Sequence, residues 1–196
     1  MNQLPYNKKM RMPPRVGFVA MLLLSWGLLF ARSLQAADEP VLSEFQVKAA
    51  FLINFPKYVD WPAAAFAQTN SPIVIAVPDD SKVADELAKA IVGRTIYGRP
   101  IVLKRLAAGE PPATCHILFI PATEKHAPDV LARLKDAAIL TVGENSGFLD
   151  AGGIINLARH GQKIALEVNL NAAGHARIKI SSKLLNVASA IKGHVN

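Results

Sequence analysis

The sequence predicts an α/β domain: three layers, a mostly parallel central sheet, an antiparallel hairpin at one edge and helices on both faces. Three observations carry this. Short β-branched runs such as Ile73–Val77 are apolar without alternation, as strands buried on both faces are. Segments with helical spacing separate them, which is the order of a parallel sheet with crossover helices. Two runs near the C-terminus, 154–158 and 163–168, are joined by Arg159, His160, Gly161 and Gln162, a hairpin connection.

The elements follow in order. Over 43–59 the apolar positions Val47, Phe51, Phe55, Tyr58 and Val59 recur at helical spacing. Ser43 with Gln46 three residues later has the form of a capping box. Pro56 falls inside this pattern, so it should kink the helix or loosen its last turn. Strand 73–77 comes next, bounded by Pro72 and Pro78. A helix is expected over 79–91, stopped near Gly93. Strands are expected at 101–103, 115–120 and 138–142, with a helix over 129–135 begun at Pro128. After the hairpin, Leu184, Leu185, Val187, Ala188 and Ile191 predict a last amphipathic helix spanning 178–191.

The N-terminal segment reads differently. Residues 1–15 carry Lys8, Lys9, Arg11 and Arg15 and no acid, and 16–30 are apolar except for Ser25. A small-residue exit ending at Ala36 and Ala37 completes the pattern of a secretory signal peptide. The apolar run is shorter than the roughly 20 residues a membrane span needs. The expected organisation is therefore a signal at 1–36 and one domain at 37–196, exported out of the cytoplasm. An uncleaved anchor is the other reading of the same segment.

Removing the signal changes the charge argument. The whole chain is at +7. Five of its 22 basic residues and none of its 15 acids precede residue 37, so 17 basic and 15 acidic residues remain, a net of +2. The basic pI of about 9.7 thus belongs largely to the signal, and nucleic acid is not an expected partner.

Motifs for catalysis are sparse. Gly-x-Ser-x-Gly is absent, and Ser181 with Lys183 stands at a spacing whose side chains point apart on a helix. The histidines form no close helical pair with one another, so no metal and no cofactor are expected, and no enzyme. The single cysteine, Cys115, reads as a buried strand residue. The loop from Gly143 through Glu144, Gly147, Gly152 and Gly153 to Asn156 follows a strand at its carboxyl end, where open α/β sheets bind ligands. It is the candidate small-molecule loop, against a turn whose glycines supply positive φ.

Four ordered blocks resemble the YfiR family of periplasmic proteins. They are Lys48 to Pro62; Cys115 to Ile120; Ile139 to Phe148 with Gly152 to Asn156; and Glu167 to Leu170 with Ile180 to Leu185. The resemblance spans about residues 41–192. It implies a compact α/β domain that binds the periplasmic sensor domain of an inner-membrane diguanylate cyclase and holds it inactive, so that cyclic di-GMP and biofilm formation fall. It also implies an outer-membrane lipoprotein that sequesters the repressor, and a homodimer. Better-known members carry paired cysteines, which this chain lacks. A binding function calls for exposed apolar and polar groups together. The candidate partner-binding residues are Asn54, Lys57, Tyr58, Trp61 and Phe148, with Ser182 and Lys183 as a second patch.

Overall fold

The computed structural model describes residues 42–112, 114–161 and 163–194. The expected signal peptide lies outside these residues.

Helix α1 (Glu44–Asn54) starts as its capping box dictates. The Ser43 hydroxyl accepts from Gln46 N and the Gln46 side chain accepts from Ser43 N. The α-helix stops at Asn54 and the chain continues as a 3₁₀ turn, Phe55–Lys57, with Pro56 inside it. Proline lacks the N–H that another α-turn would need, so the last turn tightens instead.

The remaining elements are β1 (Val59–Asp60), β2 (Ile73–Pro78), α2 (Lys82–Ala90), β3 (Thr95–Ile96), β4 (Arg99–Leu106), β5 (Ile117–Ile120), α3 (Ala127–Leu134) and β6 (Leu140–Gly143). They are followed by β7 (Ile155–His160), β8 (Lys163–Asn169), α4 (Leu170–His175), β9 (Lys179–Ile180), α5 (Ser182–Leu185) and β10 (Ala190–Lys192). The main sheet has the order β10-β8-β7-β6-β5-β2-β4-β3. Its centre is parallel, β7 and β8 form the expected antiparallel hairpin, and β3 pairs antiparallel with β4.

Alternate strand residues feed two cores. Ile75, Val77, Ile117, Phe119 and Val142 point to the face covered by α1, α2, α4 and α5. Ala76, Leu118 and Ile120 point to the other face, where α3 supplies Ala127 and Leu131. This gives the three layers that the sequence predicts.

The C-terminal expectation is corrected. Residues 178–191 are not one helix but β9, the single turn α5 and β10. Ser181 caps the turn, its hydroxyl accepting from Leu184 N. Ser189 then donates from both its backbone N (2.7 Å) and its hydroxyl (2.9 Å) to Leu166 O. These bonds draw the chain onto β8, where β10 pairs in parallel. Sheet-edge hydrogen bonds outweigh the weak helical preference of Val187 and Ile191. The hairpin therefore lies one strand in from the edge. The helix α4, not expected from the sequence, is capped by Asn169, whose side-chain oxygen accepts from Ala172 N at 3.0 Å.

Candidate functional site

Three clusters collect the residues singled out by the sequence. The first surrounds the end of α1. Val59 and Asp60 in β1 pair antiparallel with Ile180 and Lys179 in β9. Ser181 N donates to Tyr58 O at 2.9 Å. This small ladder joins the two separate candidate patches: Lys57 and Tyr58 come beside Ser182 and Lys183 on one surface. Lys57, Ser182 and Lys183 are exposed, while Asn54 and Tyr58 are half-buried. Lys57 Nζ donates to Asn54 Oδ1 at 2.9 Å, and Asn54 in turn donates to Ala50 O. Tyr97 adds an aromatic ring that is 80% exposed, held by its hydroxyl donating to Lys57 O at 3.2 Å. The signal for Tyr97 was its place before Gly98 in a tight turn, where its own φ is 49°.

Trp61 is half-buried and packs inward at this end. Its ring meets Phe66 (6.5 Å between centroids) and His116 (6.2 Å) edge-on. His116 stacks on Phe66 at 4.4 Å, and the Arg99 guanidinium lies 3.8 Å from the Phe66 centroid. His116 Nδ1 accepts from Val74 N, and its Nε2 faces Ala65 O at 3.1 Å, an arrangement that suits the Nε2–H tautomer. Burial pushes the His116 pKa down despite the Ala65 bond, and Arg99 acts in the same direction. The stack thus holds a neutral imidazole as a wedge between β2 and the segment 61–66.

The second cluster is the glycine-rich loop. Its interior is occupied by the Phe148 ring. A Cβ on Gly143 or on Gly153 would come closer than 3.0 Å to that ring, so the aromatic plane is clasped between two bare backbones. Phe148 is only 3% exposed and packs in the core beneath α3. It does not offer an apolar surface to a partner, which corrects its place among the partner-binding candidates: an aromatic ring placed between glycines gains burial that the surface would deny it. Gly147 and Gly152 have φ of 84° and 99° and make the turns that bring the clasp together. Asn156 is buried and donates to Glu167 Oε2 at 2.8 Å. The loop's glycines thus serve packing and turn geometry.

Glu144 and Asp150 carry the charge of that loop; Asp150 pairs with Lys192 at 2.6 Å, and Glu144 leads to the third cluster. Lys48, 5% exposed on α1, donates to Glu44 Oε1 at 2.5 Å and to Glu144 Oε2. Glu144 Oε1 also accepts from Ala122 N at 2.8 Å, and Arg159 reaches Glu44 Oε2 at 3.1 Å. One buried ammonium therefore ties α1 to the loop after β6 and, through Glu44, to the hairpin. Burial opposes the Lys48 charge, but the hydrogen bonds it donates to Glu144 and Glu44 outweigh it and raise the pKa above the ordinary 10.5. The Lys48 bond holds the Glu44 carboxyl below its ordinary 4.5. Sequence reasoning placed Lys48 in a signature and Glu144 in a loop but had no means of joining them.

Cys115 is buried, and burial pushes its thiol up to about 12, so it stays protonated and unreactive at neutral pH. Among the described residues, no group of three or more His, Cys, Asp or Glu side chains converges as a metal site would require. No described helix is long and apolar enough to cross a membrane.

Comparison with known proteins adds the family. Residues 45–189 match the profile of a family described as YfiR/HmsC-like, the same family that the four sequence blocks resemble. No curated protein matches. Among solved structures, a conserved domain protein from Vibrio cholerae O1 biovar El Tor str. N16961 is similar with a TM-score of 0.54 at 12% identity, covering 77% of this chain and 61% of that one. A second, an ABC domain in complex with L-Trp from Streptococcus pneumonia, has a TM-score of 0.47 at 11% identity, covering 75% of this chain and 60% of that one. The chain spans about three fifths of the length of both structures. At such identity the first similarity concerns the fold alone.

Proposed function

Because the chain belongs to the YfiR/HmsC-like family, we propose that it is an exported, non-catalytic repressor that binds the periplasmic sensor domain of an inner-membrane diguanylate cyclase. The observation that carries this reading is the family match across 45–189, which takes in both strands of the β1–β9 ladder. In this account the signal at 1–36 delivers the domain 37–196 to the periplasm, the domain acts as a homodimer, and an outer-membrane lipoprotein removes it from the cyclase.

The surface assigned to the cyclase is the one around the ladder: Lys57, Tyr58, Tyr97, Ser182 and Lys183. It suits a binding role because it combines aromatic area with two cations. Exposed Tyr supplies contact at low entropic cost, and Lys on the rim steers an acidic partner. Phe148 occupies the interior of the glycine-rich loop, which favours the ladder surface over the loop as the place of binding.

Deleting the chain in its host should raise cyclic di-GMP and surface attachment, and restoring the wild type should reverse both. Restoring Lys57→Glu/Lys183→Glu should leave cyclic di-GMP high, although the protein accumulates normally in the periplasm. Unchanged cyclic di-GMP on deletion, in a host that has the cyclase, sinks the reading.

A further inference from the structure

A groove of about 990 Å³ opens at the carboxyl ends of the parallel strands. It lies where the sheet changes direction. From β2 the chain crosses through α2 to β4 on one side, and from β5 it crosses through α3 to β6 on the other. Such switch points form crevices that bind ligands in open α/β sheets. The strand ends Pro78, Leu106 and Ile120 meet here, and Val130 and Leu134 of α3 form the opposing wall. The volume is at the upper end of the range for small-molecule sites, about 300–1,000 Å³. None of the candidate residues read from the sequence lines it.

Carboxylates outnumber cations in the lining of the groove. Four carboxylates line it, Asp79, Asp80, Glu110 and Glu124, against a single guanidinium, Arg133. Glu110 is matched by Lys104 at 3.1 Å, and Asp79 lies 3.4 Å from Arg105. Glu124 accepts from His126 N at 2.8 Å and forms no ion pair among the described residues. Asp80 carries neither a hydrogen bond nor an ion pair there. The Arg133 Nε donates to Asp129 O on its own helix. Two carboxylates beside an apolar floor are therefore left without a cation.

We propose that this groove is a binding site for a small organic cation, a primary amine carried on an aromatic or branched hydrocarbon. The hydrocarbon would lie on Leu106, Leu118, Ile120 and Val130, and the ammonium would face Asp80 and Glu124. An anion would meet a like-charged rim, and a polyamine would leave the apolar floor bare. The site stands apart from the β1–β9 surface and does not depend on the repressor reading.

The test is a titration of the ¹⁵N-labelled chain, recovered from the periplasm, with 2-phenylethylamine and separately with phenylacetate, which has the same ring and the opposite charge. The expected result is saturable shifts confined to 78–80, 106–112, 118–124 and 130–134 for the amine, with phenylacetate about tenfold weaker or silent. Asp80→Asn/Glu124→Gln should weaken the amine by about tenfold at unchanged melting temperature. A second variant, Val130→Trp, should block the amine by filling the groove from its α3 wall. Absent or scattered shifts with the amine overturn the proposal, as do equal binding of phenylacetate or an unaltered affinity in the carboxylate variant.

Discussion

Gly153→Ala is expected to destabilise the domain by about 3 kcal/mol, at the upper end of ordinary overpacking costs. The added methyl would strike the Phe148 ring, and the ring cannot retreat because Gly143 stands against its other side. In a domain of this size, the loss should lower the melting temperature by roughly 6–12 °C. Phe148→Ala should cost about 3–5 kcal/mol by itself, as large-to-small core changes do. Combining Gly153→Ala with Phe148→Leu should be milder than the sum of the two, by about 1 kcal/mol or more, because the smaller side chain makes room for the methyl. Gly147→Ala is the control. Nothing lies near its Cβ, and its cost comes only from a φ of 84°, so Phe148→Leu should not relieve it. Urea titration of these variants, together with Phe148→Leu alone and Gly147→Ala/Phe148→Leu, checks this. Additivity of Gly153→Ala and Phe148→Leu would mean that the loop is not clasped around the ring.

Lys48→Met should be nearly as damaging. It strands Glu44 and Glu144 around an apolar side chain. Breaking a fully buried pair costs about 3–5 kcal/mol. Here the Glu144 side chain is 15% exposed and Glu44 32%, so water recovers part of the loss, and about 2–3 kcal/mol is expected. Adding Glu144→Gln to Lys48→Met should restore part of it. The pH dependence has a definite sign. Glu44 has a folded pKa below 4.5, so its contribution is present above that value and is lost as pH falls through the depressed value. Lys48 has a folded pKa above 10.5, so its contribution is present below that value and is lost as pH rises through the raised one. Wild-type stability should therefore show a plateau with an acid and an alkaline limb from this pair, and Lys48→Met should flatten both. Urea midpoints measured from acid to alkaline pH give the answer.

These two clusters show where reading the sequence succeeds and where it stops. Ser43 and Gln46 announce the start of α1 because the capping box is local, complete within four residues. The run at 73–77 becomes β2 because continuous β-branched residues fit only a strand covered on both faces. The hairpin at 155–168 follows from two short apolar runs joined by four residues that include a Gly. Long-range partnerships leave no such mark. Lys48 and Glu144 lie 96 positions apart, and either alone reads as an ordinary surface charge. Phe148 looks like a loop aromatic until Gly143 and Gly153 close on it. The C-terminal misreading has the same cause: the apolar spacing at 184–191 is helical, but Leu166 O decides the outcome. Lys57, Tyr58, Ser182 and Lys183 stand out by residue type on two separate elements, and only the β1–β9 pairing brings those elements side by side.

Binding itself tests the central claim most directly. The domain recovered from the periplasm is titrated by calorimetry into the purified periplasmic domain of the host's membrane diguanylate cyclase. The account predicts saturable, stoichiometric binding by the wild type, and none by Lys57→Glu/Lys183→Glu at an unchanged melting temperature. No heat of binding with the wild type, or equal binding by the charge-reversed variant, would contradict it.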